Sequence, residues 1–199
     1  MLQITNTLSS VVRIQKARTA LLLDHPFFGS LLFRLGARAL SSIETMATDG
    51  VSLYFNPEFV ETLSSAELMG TLAHETMHPA LQHHTRRGGR EPRRWNMACD
   101  FAINPMLVDA GLPLPKGVLL DNRFRGMSAE RIYNLLEWEE NGKQNSSDDE
   151  SQKGGESQSK ADSKSGESGD GNGLSAPQTP GGIGQVLDAP EPREGEGQS

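Results

Sequence analysis

Apolar and polar positions follow recognisable periods over the first 140 residues. Leu8, Val11, Val12, Ile14, Ala17 and Leu21 recur at spacings of three and four, which predicts a helix over about 7–23 that ends before Pro26. Phe27 to Leu35 and Val51 to Phe55 are short runs rich in aromatic or branched residues, the second introduced by the turn residues Thr48, Asp49 and Gly50. Both read as strands. Ser64 followed three residues later by Glu67 has the form of a capping box, and Leu68, Met69 and Leu72 then supply an apolar stripe. A helix is expected to begin near 65 and to run until Gly88 and Gly89. Pro92 suits a helix start, so a further helix is expected from about 93 to Pro105, where the missing N–H should end or kink it. On that helix Asn96, Asp100 and Asn104 share one face. Residues 111–126 read as loop, and Ser128 can cap a last helix through Trp138. No internal repeat is evident.

Composition divides the chain after this last helix. Residues 1–140 carry 14 basic and 15 acidic side chains, whereas 141–199 carry 5 and 11, so nearly all of the net charge of -7 belongs to the second part. That part has no aromatic residue and 12 of the 21 glycines, a composition that buries too little apolar surface to offset chain entropy. The expectation is one domain over 1–140 and a disordered acidic Gly/Ser-rich tail over 141–199. The single cysteine, Cys99, rules out an internal disulfide, and no window approaches the ~18 apolar residues that span a bilayer. With no secretory leader pattern either, the reading is a cytoplasmic protein without membrane association.

Chemistry concentrates at His74-Glu75-Thr76-Met77-His78, an H-E-x-x-H pattern inside the predicted 65-onward helix. Residues four apart on a helix lie on one face, so two imidazoles can address one ion while Glu75 stands beside them as a base. Two histidines and a glutamate at fixed offsets arise by chance in such a chain less than about one time in a hundred. That weighs against the plain alternatives of a polar helix surface or a purely structural metal. Catalytic zinc takes three protein ligands, and three residues compete for the third place. His84 has the spacing of a metzincin ligand, but the glycine that would turn the chain back is replaced by Leu81, and an unbroken helix carries His84 about 15 Å along the axis from His74. Glu91 lies in the Gly/Pro-rich connection. Asp100, 22 residues after His78 on the next helix, can be laid over the metal face by an antiparallel helix pair and is favoured. Asn104 and Asn96, one turn to either side, are placed to hydrogen-bond a ligand from behind.

The other polar residues are read more plainly. His83 and His84 are expected to be solvated at a helix end, and Cys99 to be a small core residue. Arg86, Arg87, Arg90, Arg93 and Arg94 form a basic run, but the domain is nearly neutral and lacks interleaved aromatics, which argues against nucleic acid. A helix-end cluster or a contact for substrate carboxylates accounts for it better, and the acidic tail can screen it. Tyr54, Tyr133 and the arginines are possible oxyanion donors, none singled out by spacing. The expected activity is hydrolysis of peptide bonds in a protein substrate, with Zn²⁺ on His74, His78 and Asp100 and Glu75 as general base. The competing reading is a non-catalytic metal-binding interaction module.

Three stretches, TMATDGVSLYFNPEFVETLSSAEL, LAHETMHPALQHHTRRGG and WNMACDFAINPMLVDAGLPLP, resemble the metallopeptidase domains that usually precede a von Willebrand factor A-like domain in bacterial and phage proteins. The resemblance covers about residues 8–140. It implies a zincin-like α+β fold, with the motif helix under a small mixed sheet, a second ligand-bearing helix, and an edge strand that can align an extended peptide. It also implies His74 and His78 as ligands, Glu75 as base and Asp100 in the place of the gluzincin glutamate. A von Willebrand factor A-like domain or an AAA+ ATPase of the MoxR type is the partner it suggests. GGIGQVLDAP, residues 181–190, resembles the connecting segment of that family, and the chain reads as a short member without the second domain.

Overall fold

The computed structural model describes residues 2–149 and 184–189, with side chains over 7–141 and 184–189. Ser10, Ile14, Ala17, Arg18 and Leu21 form the buried face of the first helix, α1 (Leu2–Asp24), at the helical spacing that the sequence displays. The next segment departs from expectation. Residues 27–35 are not a strand: Pro26 occupies the first turn of helix α2 (Pro26–Leu32), where its lack of an N–H costs nothing. A run this short has no period that separates strand from helix, and packing decides it. Gly29 and Leu32, three apart, are its buried residues, and a Cβ at Gly29 would overlap the backbone of Leu22, so the glycine lets α2 fold flat against α1.

A four-stranded mixed sheet follows, built from β1 (Gly36–Ala39), β2 (Met46–Thr48), β3 (Ser52–Phe55) and, from far along the chain, β4 (Gly184–Val186). Its order is β1-β3-β2-β4, with β1 parallel to β3, β2 antiparallel to β3, and β4 parallel to β2. The β2–β3 turn forms as its residues foretell. Asp49 Oδ1 accepts from the N–H groups of Val51 and Ser52 at 2.8 and 2.7 Å, and Gly50 takes a φ of 88°.

After α3 (Pro57–Thr62), the capping box of Ser64 and Glu67 opens α4 (Ser65–Ala80). Residues 70–78 are all buried, which makes α4 the central helix, in contact with α1, α2, α6, β2 and β4. It stops at Leu81 rather than at Gly88. Pro79 sits in its last turn, and Gln82 adopts a left-handed φ of 56° before the short helix α5 (His83–Arg86). Glu91 caps α6 (Pro92–Asp109) by accepting from the N–H groups of Arg93 and Arg94. Pro105 does not end α6, which continues to Asp109. A 3₁₀ turn (Asn122–Phe124) leads to α7 (Ala129–Asp149), which runs beyond the expected Trp138.

The architecture is α+β, with aliphatic side chains of α1, α2, α4 and the sheet in one cluster and Trp95, Phe124, Ile132 and Tyr133 in another. Helix α6 belongs to both clusters. The expected disordered tail needs correction at both of its described parts. Residues 141–149 continue α7, and 184–189 form β4 and its extension, because the free edge of β2 satisfies their backbone groups. The remaining residues of that tail lie outside the described ones. No helix among the described residues is long and apolar enough to cross a membrane.

Candidate metal centre

Helical spacing puts His74 and His78 one turn apart on α4, and α6 crosses them with Asp100. All three are fully buried. His74 Nε2 and His78 Nε2 lie 3.0 Å apart, and Asp100 Oδ1 is 3.3 Å from the first and 3.7 Å from the second. Ligands of a tetrahedral zinc at bonds of about 2.0–2.1 Å stand about 3.3 Å from one another, so the three atoms have the separations of one tetrahedral face.

The surrounding hydrogen bonds decide where the protons are. Asn104 Nδ2 donates to the Leu119 carbonyl at 2.7 Å, which turns Asn104 Oδ1 toward His74 Nδ1, 2.8 Å away. An amide oxygen only accepts, so Nδ1 of His74 carries the proton and Nε2 is left with a bare lone pair. Nδ1 of His78 faces Nδ1 of His83 at 3.2 Å. Burial, then Arg86, pushes His83 down to about 3, so it is neutral and can accept from His78, which frees Nε2 of His78 as well. With both imidazoles in these neutral tautomers, two bare nitrogens and a carboxylate oxygen converge on one point. Such a set repels itself unless a proton or a cation sits among its members.

Without a cation, the electrostatics favour a proton on His74. Burial opposes a charge on His74, but the facing Asp100 carboxylate, with Glu75 and Asn104 behind it, outweighs burial and raises its pKa. His78 is driven well down by burial and by His74. Burial raises Asp100, opposed by His74. Glu75 is fully buried and is pushed up to about 8 by burial, opposed by His74 and helped by Asp100. Both oxygens of Glu75 and both of Asp100 lack hydrogen-bond partners among the described residues. The donor set thus fits a divalent cation, with an unengaged carboxylate beside it.

The alternative ligands are placed elsewhere. Glu91 caps α6. The carbonyl of His84 accepts from Ala189 N–H at 3.2 Å, and its ring lies against Gly50. Asn96, expected to steady a ligand as Asn104 does, instead accepts from Val186 N–H at 3.2 Å and so holds β4. Tyr54 donates to Asp49, while Tyr133 accepts from Glu91 N–H and Arg94. The arginine run is engaged in ion pairs and ring contacts: Arg86 with Glu130, Arg87 with Asp188, Arg94 with Glu137 and Glu140, and Arg90 over Trp95.

Two features escaped the residue pattern. His83 is buried at 1% exposure, not solvated, because the left-handed turn at Gln82 folds α5 back beneath α4; Pro79 next to that turn was the available signal. His78, His83 and Cys99 also lie close enough to share an ion; without one, burial, then Asp100, holds the Cys99 thiol well above its ordinary range. The other feature is β4. Gly184 packs directly on the Glu75 carboxylate, where a Cβ would overlap it, and only the small residues of GGIGQV hinted at so close an approach.

An α+β fold that buries two imidazoles and a carboxylate around one point, next to a free glutamate, has a site that can hold a metal ion. The chain belongs to the family described as "putative metallopeptidase domain", whose model matches residues 9–194. No curated protein and no solved structure matches it.

Proposed function

We propose that the protein is a zinc-dependent endopeptidase of zincin-like fold, with His74, His78 and Asp100 holding the metal and Glu75 as general base. The observation that carries this reading is the meeting of two imidazole nitrogens and a carboxylate oxygen at the separations of a tetrahedral face, beside an unpartnered carboxylate. Zinc at such a position supplies a water acidic enough to ionise near neutrality and polarises a carbonyl. Glu75, buried beside the three ligands, takes the proton of the attacking water and delivers it to the departing amide nitrogen. Asn104 and His83 fix the two imidazoles so that only Nε2 of each faces the ion. The motif helix beside a small mixed sheet, with a second helix bearing Asp100, supports the zincin-like assignment.

Bound zinc and cleavage of a denatured protein, measured together, test the proposal. Glu75→Gln should retain zinc and lose about 10²–10⁴-fold in kcat, while His74→Ala, His78→Ala and Asp100→Ala should lose zinc itself. Zinc binding untouched by Asp100→Ala would remove Asp100 from the ligand set. The complete enclosure of Glu75 favours a second reading, a metal-binding interaction module without catalysis. That reading prevails if the parent protein holds zinc yet cleaves nothing even after β4 has been displaced.

A further inference from the structure

Strand β4 does not merely extend the sheet; it crosses the metal centre. Its backbone pairs with the edge strand β2, Met46 with Gly184, Ala47 with Gln185 and Thr48 with Val186, and Leu187 N–H donates to the Thr48 carbonyl at 2.9 Å. Gly184 lies against the Glu75 carboxylate and the His74 ring so closely that no side chain fits. Beyond it, Val186 enters the Trp95 cluster while its N–H donates to Asn96 Oδ1. Asp188 then pairs with Arg87 at 2.6 Å, and Ala189 N–H donates to the His84 carbonyl. An extended segment is thus held by main-chain pairing, with one residue over the base, an apolar pocket two residues on and an arginine four residues on. The stretch from Gly184 to Ala189 has the main-chain pairing and the spaced side-chain contacts by which an extended peptide is bound at a sheet edge.

We infer that the slot between β2 and the α4–α6 pair is a peptide-binding groove, which selects an extended segment with glycine over Glu75, an apolar residue two positions on and an acidic residue four positions on, and that residues 184–189 occupy it in the resting chain. Occupied this way, the groove shuts water and substrate away from Glu75. Displacement of β4 opens it. This inference rests on the peptidase reading for the meaning of Glu75, but binding to the groove does not require cleavage.

The test uses the full chain and a fluorescein-labelled synthetic peptide of residues 182–190. Val186→Asp places a carboxylate in the Trp95 cluster and should expel β4. The labelled peptide should then bind this variant at least about tenfold more tightly than the parent, because the parent groove is already filled. A peptide with alanine in place of Gly184 should bind the variant at least about tenfold more weakly, since its methyl group meets Glu75. In the parent, hydrogen exchange at the Val186, Leu187 and Ala189 amides should be at least about 100-fold faster than in α4, as expected of a segment that opens locally. Equal binding to parent and variant, or binding to neither, overturns the inference. So does exchange at those amides as slow as in α4, which decides the matter even if Val186→Asp fails to fold. Peptide binding without cleavage by any variant leaves the groove intact and removes the peptidase; equal cleavage by parent and Val186→Asp removes the resting block and leaves the peptidase.

Discussion

The centre is built from two unlike halves. Its metal side comes from α4 and α6, whose donor atoms are fixed by helical spacing, buried on both sides by core side chains and oriented by Asn104 and His83. Its groove side comes from β4, three residues paired to one edge of a small sheet, anchored by one amide, one arginine and the packing of Val186. The first half is expensive to disturb, because any loss leaves buried charges unpaired. The second can leave without breaking a helix or emptying the main core. A site made in this way keeps its chemistry rigid while its access is adjustable.

The largest expected effect of breaking this division falls on the metal side. On the proposed zinc reading, a chelator leaves the Asp100 carboxylate and two imidazoles facing one another without the ion. At zinc a thousandfold above its dissociation constant the lost linkage is about 4 kcal/mol, which for a domain near 150 residues is about 10 °C in Tm. Calorimetry with and without chelator measures it. An unchanged Tm would mean that the three acceptors hold no ion.

The contrast between the halves also explains what the residue pattern could reveal. His74, Glu75, His78, Asp100 and Asn104 were legible because their relation depends on spacing within two helices and on one helix crossing another. The capping box at Ser64 and the Asp49-Gly50 turn are local in the same sense. Residues 27–35 misled because so short a segment has no usable period, and the helix that holds most of it, Pro26–Leu32, rests on the contact between Gly29 and the Leu22 backbone. Strand β4 was hidden for a stronger reason. Taken alone, 184–186 is too polar and too short to form anything, and it becomes a strand only against a β2 edge that lies more than 130 positions earlier in the chain. His83 needed a left-handed glutamine, a conformation that no side-chain pattern announces.

Glu75 lies at the seam of the two halves, and pH probes it. Its folded pKa of about 8 lies above the ordinary 4.5, so between these values the folded, zinc-free protein binds more protons there than the unfolded chain does. Stability from this group is therefore lost as pH rises through that window. Glu75→Gln cannot ionise. Without zinc, the Tm of the variant should match that of the parent near pH 4 and exceed it by several degrees at pH 8, a few kcal/mol at most. A constant difference across the range would show that Glu75 is not enclosed by β4, and the two halves would no longer meet at this residue.

The finest distinction concerns the residues that orient the imidazoles. Asn104→Ala removes the acceptor that holds the proton on Nδ1 of His74, and His83→Ala removes the corresponding acceptor behind His78. Each should weaken zinc binding about 10–100-fold, equivalent to about 1.4–2.7 kcal/mol, as read by competition with a chromophoric chelator. The Asn104 change should be the more costly of the two, because it also leaves the Leu119 carbonyl without its donor. Asp188→Asn supplies the opposing control: it removes a half-exposed ion pair worth about 1 kcal/mol or less and should leave zinc affinity where it was. If Asp188→Asn weakened zinc as much as His83→Ala does, metal and strand would be one cooperative unit. The exchange rates of β4 and α4 would then have to rise together in every variant, and the strand could not open while the ion remained bound.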